Sequence, residues 1–271
     1  MFDLVILNGN VYSGDSPPEI LNIGIESECI KYIGKEKISG KVIIDAEDYT
    51  VTPGFIDLHT HSDLSFIVDP DADSKLVQGV TFELMGNCGM SFCSPLSKEN
   101  KYQLQERLDR YGVKKQFDWN NFSDWLNEIE RNVPAINVAA QIGHGSLRSY
   151  IMGMEARQAT PEEINRMKYE IQKAFDQGVL GFSTGLWYAP GSYSSAEEII
   201  ELAKTASKNN ILYSSHIRSE SDDSSGLFPA HSEAIEIARR SDVRVQISHV
   251  KSVGPKFWGR GYELIEGIEK A

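Results

Sequence analysis

From residue 53 onward, short apolar runs alternate with amphipathic stretches, and this alternation strongly limits how the chain can fold. The apolar runs, bounded by Gly, Pro and Asn, predict strands, and the stretches between them predict helices. Strands that alternate with helices predict a parallel sheet. The predicted strands are one that ends at His59 and His61, then Val80–Met85, Ile136–Ile142, Val179–Thr184, Ile211–Ser215 and Val243–Ser248.

Six strand–helix units in series favour a TIM-like (β/α) barrel over an open sheet. Because a closed barrel of this type has eight strands, we expect residues 53–271 to form a barrel that is truncated after about six strands. Either the chain is a fragment of a longer gene product whose C-terminal strands are absent here, or self-association or another chain completes the barrel.

Residues 1–52 follow a different pattern. Asp3–Leu7, Asn22–Ile25 and Lys41–Ala46 are predicted strands, and Gly and Asn residues mark the turns between them. Short strands with this punctuation predict a small antiparallel sheet domain, a β-sandwich portion that precedes the barrel.

Two barrel helices begin at recognisable caps. Asn120 and Asn121 precede one, and Thr160, followed by Pro161 and acidic residues, opens the other. By contrast, residues 91–118 are polar with no clear apolar period, which predicts a loop. We expect this loop to help set substrate preference.

Composition excludes several classes of function. The net charge of −12 argues against nucleic acid and anionic membranes as partners. The acidic N-terminus is unlike a signal peptide, and no apolar run is long enough to span a bilayer. Three cysteines do not make a set of disulfides, so we expect a reducing, cytoplasmic location.

Candidate metal ligands follow the predicted strands, at the end of a barrel where active sites form. His59 and His61 lie two residues apart, so on an extended strand both imidazoles face the same side. Cys88, His216 and His249 each follow a later strand. A set of imidazoles and a thiolate suits zinc, although each residue alone is also compatible with a core position.

Other polar residues near strand ends have weaker claims. His144 and Ser183 also follow strands but are not assigned to the metal. His231, at a predicted helix start, is interpreted as structural, and Cys93, in a loop, is given no role.

Several segments form a set of motifs: Pro53–His61, Gly86–Gly89, Gly143–Arg148, Gly185–Gly191, Ser215–Arg218 and Ser248–Lys251. Together they resemble the D-aminoacylase (N-acyl-D-amino-acid deacylase) family of the amidohydrolase superfamily. The first segment indicates only the superfamily, whereas the Gly-Asn-Cys-Gly segment with the two later histidines is much more specific.

This resemblance implies a zinc enzyme with one tight site and a second, weaker metal position. It implies that Cys88, His216 and His249 hold the tight zinc, and that His59 and His61 line the weaker position. Many amidohydrolase relatives have a carboxylated lysine at the end of strand four, where this chain has no lysine, and Cys88 fits as its substitute.

The resemblance also implies substrate contacts. It places Lys251 on the substrate carboxylate and Tyr188 beside the substrate. A solvated surface lysine and a packing aromatic remain the alternatives for these two residues. The family's general-base Asp has no match here and is expected beyond residue 271, so the catalytic base is unknown and an inactive chain is one of the alternatives.

The predicted reaction is zinc-dependent hydrolysis of the amide bond of a small N-acyl-D-amino acid, which gives a D-amino acid and a carboxylate. One alternative is a cyclic amidohydrolase of the dihydroorotase or hydantoinase type, although the missing strand-four lysine argues against it. The other is an inactive, metal-binding partial barrel that needs a partner chain.

Overall fold

The computed structural model describes residues 1–14, 16–93, 95–114, 117, 119–223 and 225–271. The chain divides into two compact units, Met1–Phe55 and Ile56–Ala271. The strands of the first unit are β1 (Phe2–Val11), β2 (Glu19–Glu26), β3 (Cys29–Gly34), β4 (Gly40–Asp45) and β5 (Thr50–Val51). They form one sheet in the order β3-β2-β1-β4, with β5 beside β1.

The N-terminal sheet is mixed, so the prediction of a purely antiparallel sheet is wrong in part. Strands β1, β2 and β3 pair antiparallel. Strands β4 and β5 pair parallel to β1, with Leu4 opposite Val42 and Asn10 opposite Thr50. Alternation along a strand indicates which residues share a face but does not indicate the direction of the neighbouring strand.

A second sheet has the strand order β11-β10-β9-β8-β7-β6, which is the order of the chain in reverse. Neighbouring strands from β7 to β11 pair in parallel. This arrangement confirms the predicted truncated TIM-like barrel. The strands are β6 (Phe55–Asp57), β7 (Val80–Met85), β8 (Asn137–Gly143), β9 (Gly181–Gly185), β10 (Leu212–His216) and β11 (Val245–Ile247).

Parallel strands are joined by crossover connections, and in the second unit these crossovers contain helices that pack on the sheet. Phe66, Trp125, Ile142, Phe182 and Ile199 lie at the centre of the apolar core, each at most 1% exposed. The helices are α1 (Ser65–Val68), α2 (Asp73–Leu76), α3 (Lys98–Arg110), α4 (Phe122–Asn132), α5 (His144–Met152), α6 (Pro161–Asp176), α7 (Ala196–Lys208), α8 (Leu227–Ser241) and α9 (Gly261–Glu269).

Helix α3 lies inside the stretch 91–118 that was predicted to be a loop, so that prediction is wrong for these residues. Only Leu104 and Leu108 are buried in α3, which leaves an apolar stripe too narrow to give a helical period. Ser97 caps the helix by accepting a hydrogen bond from the Asn100 backbone. Residues 94, 115, 116 and 118 of the predicted loop lie outside the described residues.

His231 also differs from its predicted place. It is buried within α8 rather than at the helix start. Across the described part of the chain, no helix has both the length and the apolar character needed to cross a bilayer.

Candidate metal centre

Four histidines and one cysteine from different parts of the barrel sheet converge on one point. Their ligand atoms form two overlapping groups, in each of which all atoms lie within 4.8 Å of one another. Cys88 belongs to both groups. Its Sγ lies 3.3 Å from His59 Nε2 and 3.7 Å from His249 Nε2. The first group is His59, His61 and Cys88, and the second group is Cys88, His216 and His249.

A sharp turn after β7 presents the Cys88 thiol. Gly86, Cys88 and Gly89 have φ angles of +74°, +56° and +71°. A Cβ atom at Gly86 would collide with the backbone carbonyl of Gln141, so this position requires glycine. The Asn87 side chain fixes the turn, because its amide donates to Leu84 O at 2.8 Å.

Ser183 supports the same turn from the neighbouring strand β9. Its hydroxyl donates to Gly86 O at 2.5 Å and accepts from Gly89 N at 3.1 Å. This strand-end residue therefore holds the turn that carries Cys88.

His59 and His61 follow β6 rather than extend it, since the strand ends at Asp57. The His59 backbone N–H donates to Asp57 Oδ1 at 3.1 Å, which starts the loop. The two rings still meet edge to face with centroids 5.6 Å apart. The predicted convergence is therefore reached by loop geometry and not by strand alternation.

His216 ends β10, and His249 follows β11 with a φ of +37°. Their rings meet edge to face with centroids 4.5 Å apart. His249 Nε2 lies 3.1 Å from His216 Nδ1, so these two nitrogens face each other on the side of Cys88.

The electrostatics at His59 and His216 favour neutral imidazoles. Burial, followed by the neighbouring His249 and His61, lowers the pKa of His59 to about 4. Burial also lowers the pKa of His216 to about 4 and raises the pKa of the Cys88 thiol to about 11. Neutral imidazoles have the free lone pair that a metal needs, whereas the thiol must lose its proton on binding.

The two predicted substrate contacts lie near this cluster but are already engaged. Lys251 Nζ lies 2.7 Å from Glu220 Oε1 and 2.9 Å from His249 Nδ1. The Tyr188 hydroxyl donates to Cys88 O, and its ring stands edge to face against His216 at 5.3 Å.

Glu220 is a site residue that the sequence reasoning missed. Its carboxylate lies between Lys251 and the rings of His216 and His249. The available signal was weak: an acid four residues after His216, in a segment without regular structure.

His144 does not join the metal cluster. It begins α5, is fully buried, and lies 2.8 Å through Nε2 from Glu198 Oε1. Arg148, also fully buried, donates to the same carboxylate at 2.8 and 2.6 Å. Burial opposes ionisation of Glu198, but the hydrogen bonds and charges of His144 and Arg148 outweigh it and hold the pKa below its usual value.

A cavity of about 830 Å³ opens beside the cluster, and His61 and Tyr188 contribute to its wall. Helix α3 contributes Arg107 and Arg110. The Arg107 guanidinium lies 5.5 Å from the centre of the Phe92 ring, which also lines the cavity.

Two carboxylates share the wall of this cavity with the arginines. Asp63 is buried and accepts from Gly86 N and Phe92 N, both at 3.4 Å, whereas Asp69 is exposed.

Comparison with known proteins identifies the family. The chain matches the amidohydrolase family over residues 42–212, more than half of its length. D-aminoacylase from Alcaligenes xylosoxydans xylosoxydans is 34% identical over 272 residues, which cover 100% of this chain and 55% of that protein. A crystal structure of D-aminoacylase has a TM-score of 0.89 at 33% identity and covers 100% of this chain and 56% of that one.

A second solved structure is similar to the same extent. N-acyl-D-glutamate deacylase from Bordetella bronchiseptica, solved with zinc and a phosphonate inhibitor, has a TM-score of 0.87 at 32% identity. The match covers 99% of this chain and 56% of that one. This chain thus spans about half the length of the relatives that it matches. The chain belongs to the amidohydrolase family, and it is similar to D-aminoacylase, which its sequence motifs also resemble.

Proposed function

We propose that the cluster around Cys88 is a zinc centre. The observation that carries this proposal is the convergence of one thiol and four imidazoles, most of them buried or half-buried, with Cys88 shared by both groups. Thiolate and imidazole are ligands that zinc prefers. Cys88, His216 and His249 would hold the tight ion, and His59 and His61 would line a weaker second position.

The proposed reaction is hydrolysis of the amide bond of an N-acyl-D-amino acid. The names of the similar D-aminoacylase and N-acyl-D-glutamate deacylase support this reaction. A bound zinc ion supplies the Lewis-acid chemistry that amide hydrolysis requires. The free thiols of Cys88 and Cys93 fit the reducing cytoplasm, which we propose as the location.

Two side chains of this chain would position the substrate. The Lys251 ammonium would pair with the substrate α-carboxylate as a point charge. Tyr188 lines the cavity and its ring stands edge to face against His216, so this ring would pack against the bound substrate.

The cavity favours a substrate with a second carboxylate, as in an N-acyl-D-aspartate or N-acyl-D-glutamate. Arg107 and Arg110 both line it, and neither forms an ion pair with a carboxylate among the residues that the structure describes. Of the two carboxylates in the wall, Asp63 is buried, accepts from two backbone N–H groups and is also within the electrostatic influence of Arg107, whereas Asp69 is exposed. A guanidinium binds a carboxylate with two parallel hydrogen bonds.

The reaction is tested with the zinc-loaded intact gene product and paired D and L substrates. We expect turnover of N-acetyl-D-glutamate and none of N-acetyl-L-glutamate. Equal rates on both would contradict the stereochemical proposal. Turnover of dihydroorotate or hydantoin instead would identify a cyclic amidohydrolase, and zinc binding without any turnover would favour the non-catalytic partial barrel.

The acidic preference is tested with Arg107→Ala. We expect kcat/KM for N-acetyl-D-glutamate to fall about tenfold or more, since loss of one charge-assisted hydrogen bond costs roughly 1.5–3 kcal/mol. Activity on N-acetyl-D-leucine, which lacks the second carboxylate, should change little. Arg166→Ala, which removes an exposed arginine of α6, is the control. An equal fall with both substrates would contradict the assignment.

A further inference from the structure

Glu220 faces the outward nitrogens of two histidines at once. Its Oε1 lies 2.9 Å from His249 Nδ1 and 3.9 Å from His216 Nε2. The opposite nitrogens of the same rings, His249 Nε2 and His216 Nδ1, face each other at 3.1 Å on the side of Cys88. One carboxylate therefore lies behind both rings, on the side away from the thiol.

Glu220 is held where it can act on these rings. Its side chain is only 14% exposed, and its backbone carbonyl accepts a hydrogen bond from Val253 N at 2.9 Å. That bond ties the segment after β10 to the segment after β11, which carries His249. The carboxylate and the two histidines are thus fixed to the same pair of neighbouring strands.

The position of the imidazole proton decides whether His249 can bind a metal. A ring that binds through Nε2 must carry its proton on Nδ1, where a carboxylate can accept it. Lys251 Nζ lies 2.9 Å from the same Nδ1, and an ammonium can only donate. If Lys251 donated to Nδ1, the proton would move to Nε2 and block ligation.

We propose that Glu220 is a positioning residue that fixes the metal-binding tautomer of His249 and, more weakly, of His216. It accepts the proton on His249 Nδ1 and, through the same oxygen, pairs with the Lys251 ammonium at 2.7 Å, so the carboxylate competes with the ring nitrogen for that ammonium. This inference rests on the proposed zinc centre. In this role Glu220 raises the affinity for the metal and does not contact the substrate.

The test compares zinc affinities by competition with a chromophoric chelator. We expect Glu220→Ala to weaken zinc binding about 10–100-fold, the usual effect of losing a carboxylate behind a metal-bound histidine. Glu220→Gln keeps an acceptor oxygen and should recover part of the affinity. The matched control is Glu233→Gln, because Glu233 is 18% exposed and pairs with Arg218 at 2.9 Å. Its zinc affinity should remain that of the wild type.

Long-range ¹H–¹⁵N spectra of the metal-free wild-type protein test the tautomer directly and need no variant. We expect the His249 proton on Nδ1. A proton on Nε2, or zinc affinity in Glu220→Ala equal to that of the wild type, would overturn the inference while leaving the zinc centre intact. If the wild-type protein bound no zinc, the proposed function itself would fail and this inference with it.

Discussion

At the scale of single residues, two of the proposed zinc ligands have a strained backbone. Cys88 and His249 have φ angles of +56° and +37°, a region that side chains other than glycine seldom adopt. Such conformations cost on the order of 1–3 kcal/mol each and persist only where the surroundings hold them. Asn87 and Ser183 provide that support at Cys88 through their hydrogen bonds to the turn.

Cys88→Ala should abolish tight zinc binding, because the thiol belongs to both ligand groups. The measurement is zinc content by mass spectrometry after dialysis. Cys93→Ala is the control, since that thiol is buried and donates to Gln141 O at 3.3 Å. Unchanged zinc content in Cys88→Ala would exclude the thiolate site.

Arg148→Met should lower the free energy of unfolding by about 3–5 kcal/mol, because it leaves the Glu198 carboxylate buried without the guanidinium that pairs with it. Urea unfolding measures this loss. Arg166→Met, on the exposed face of α6, should change stability by no more than about 0.5 kcal/mol. Similar values for the two variants would show that the buried ion pair contributes little.

At the scale of elements, helix α6 has the capping box that its sequence predicts. Thr160 Oγ1 accepts from Glu163 N at 3.3 Å, and the Glu163 carboxylate accepts from Thr160 N at 2.8 Å. Arg157 adds two hydrogen bonds to that carboxylate. The start of α6 is therefore stabilised by an ionised glutamate.

This cap predicts a specific loss of stability in acid. The hydrogen bond from the Arg157 side chain, followed by that from the Thr160 backbone, lowers the pKa of Glu163 from 4.5 to about 2. Because the folded-state pKa is depressed, the stabilisation is complete above pH 4.5 and is lost as the pH falls towards 2. In urea unfolding, the stability difference between wild type and Glu163→Gln should shrink across this window. A difference that stays constant would contradict the assignment, and Glu162→Gln is the control.

At the scale of the whole molecule, the proposed zinc ligands couple metal binding to folding. They come from segments that follow β6, β7, β10 and β11, so an ion would link the first and last strands of the sheet order. A ligand that binds only the folded state stabilises it by mass action.

Zinc should therefore raise the melting temperature of the wild-type protein. At a free zinc concentration 100 times the Kd, the gain is about 2.7 kcal/mol, and a domain of this size responds by roughly 2–4 °C per kcal/mol. Differential scanning calorimetry measures the shift, which EDTA should reverse. Cys88→Ala should show no shift, and an equal shift in that variant would point to zinc bound elsewhere.

The sequence alone located the barrel strands and the five candidate metal ligands. Val80–Met85 was predicted and observed with the same bounds, because a short apolar run between turn residues is a local signal. The five candidate ligands could be placed together because parallel strands bring their carboxyl ends to one edge of the sheet.

Contacts distant in sequence decided what the pattern could not specify. Helix α3 has too few apolar residues to be recognised, and the direction of β4 depends on its pairing with β1. The position of Glu220 behind His249 depends on the close packing of segments 29 residues apart in sequence. Local patterns follow from the geometry of one segment, whereas register and the pairing of charged side chains follow from the packing of several segments.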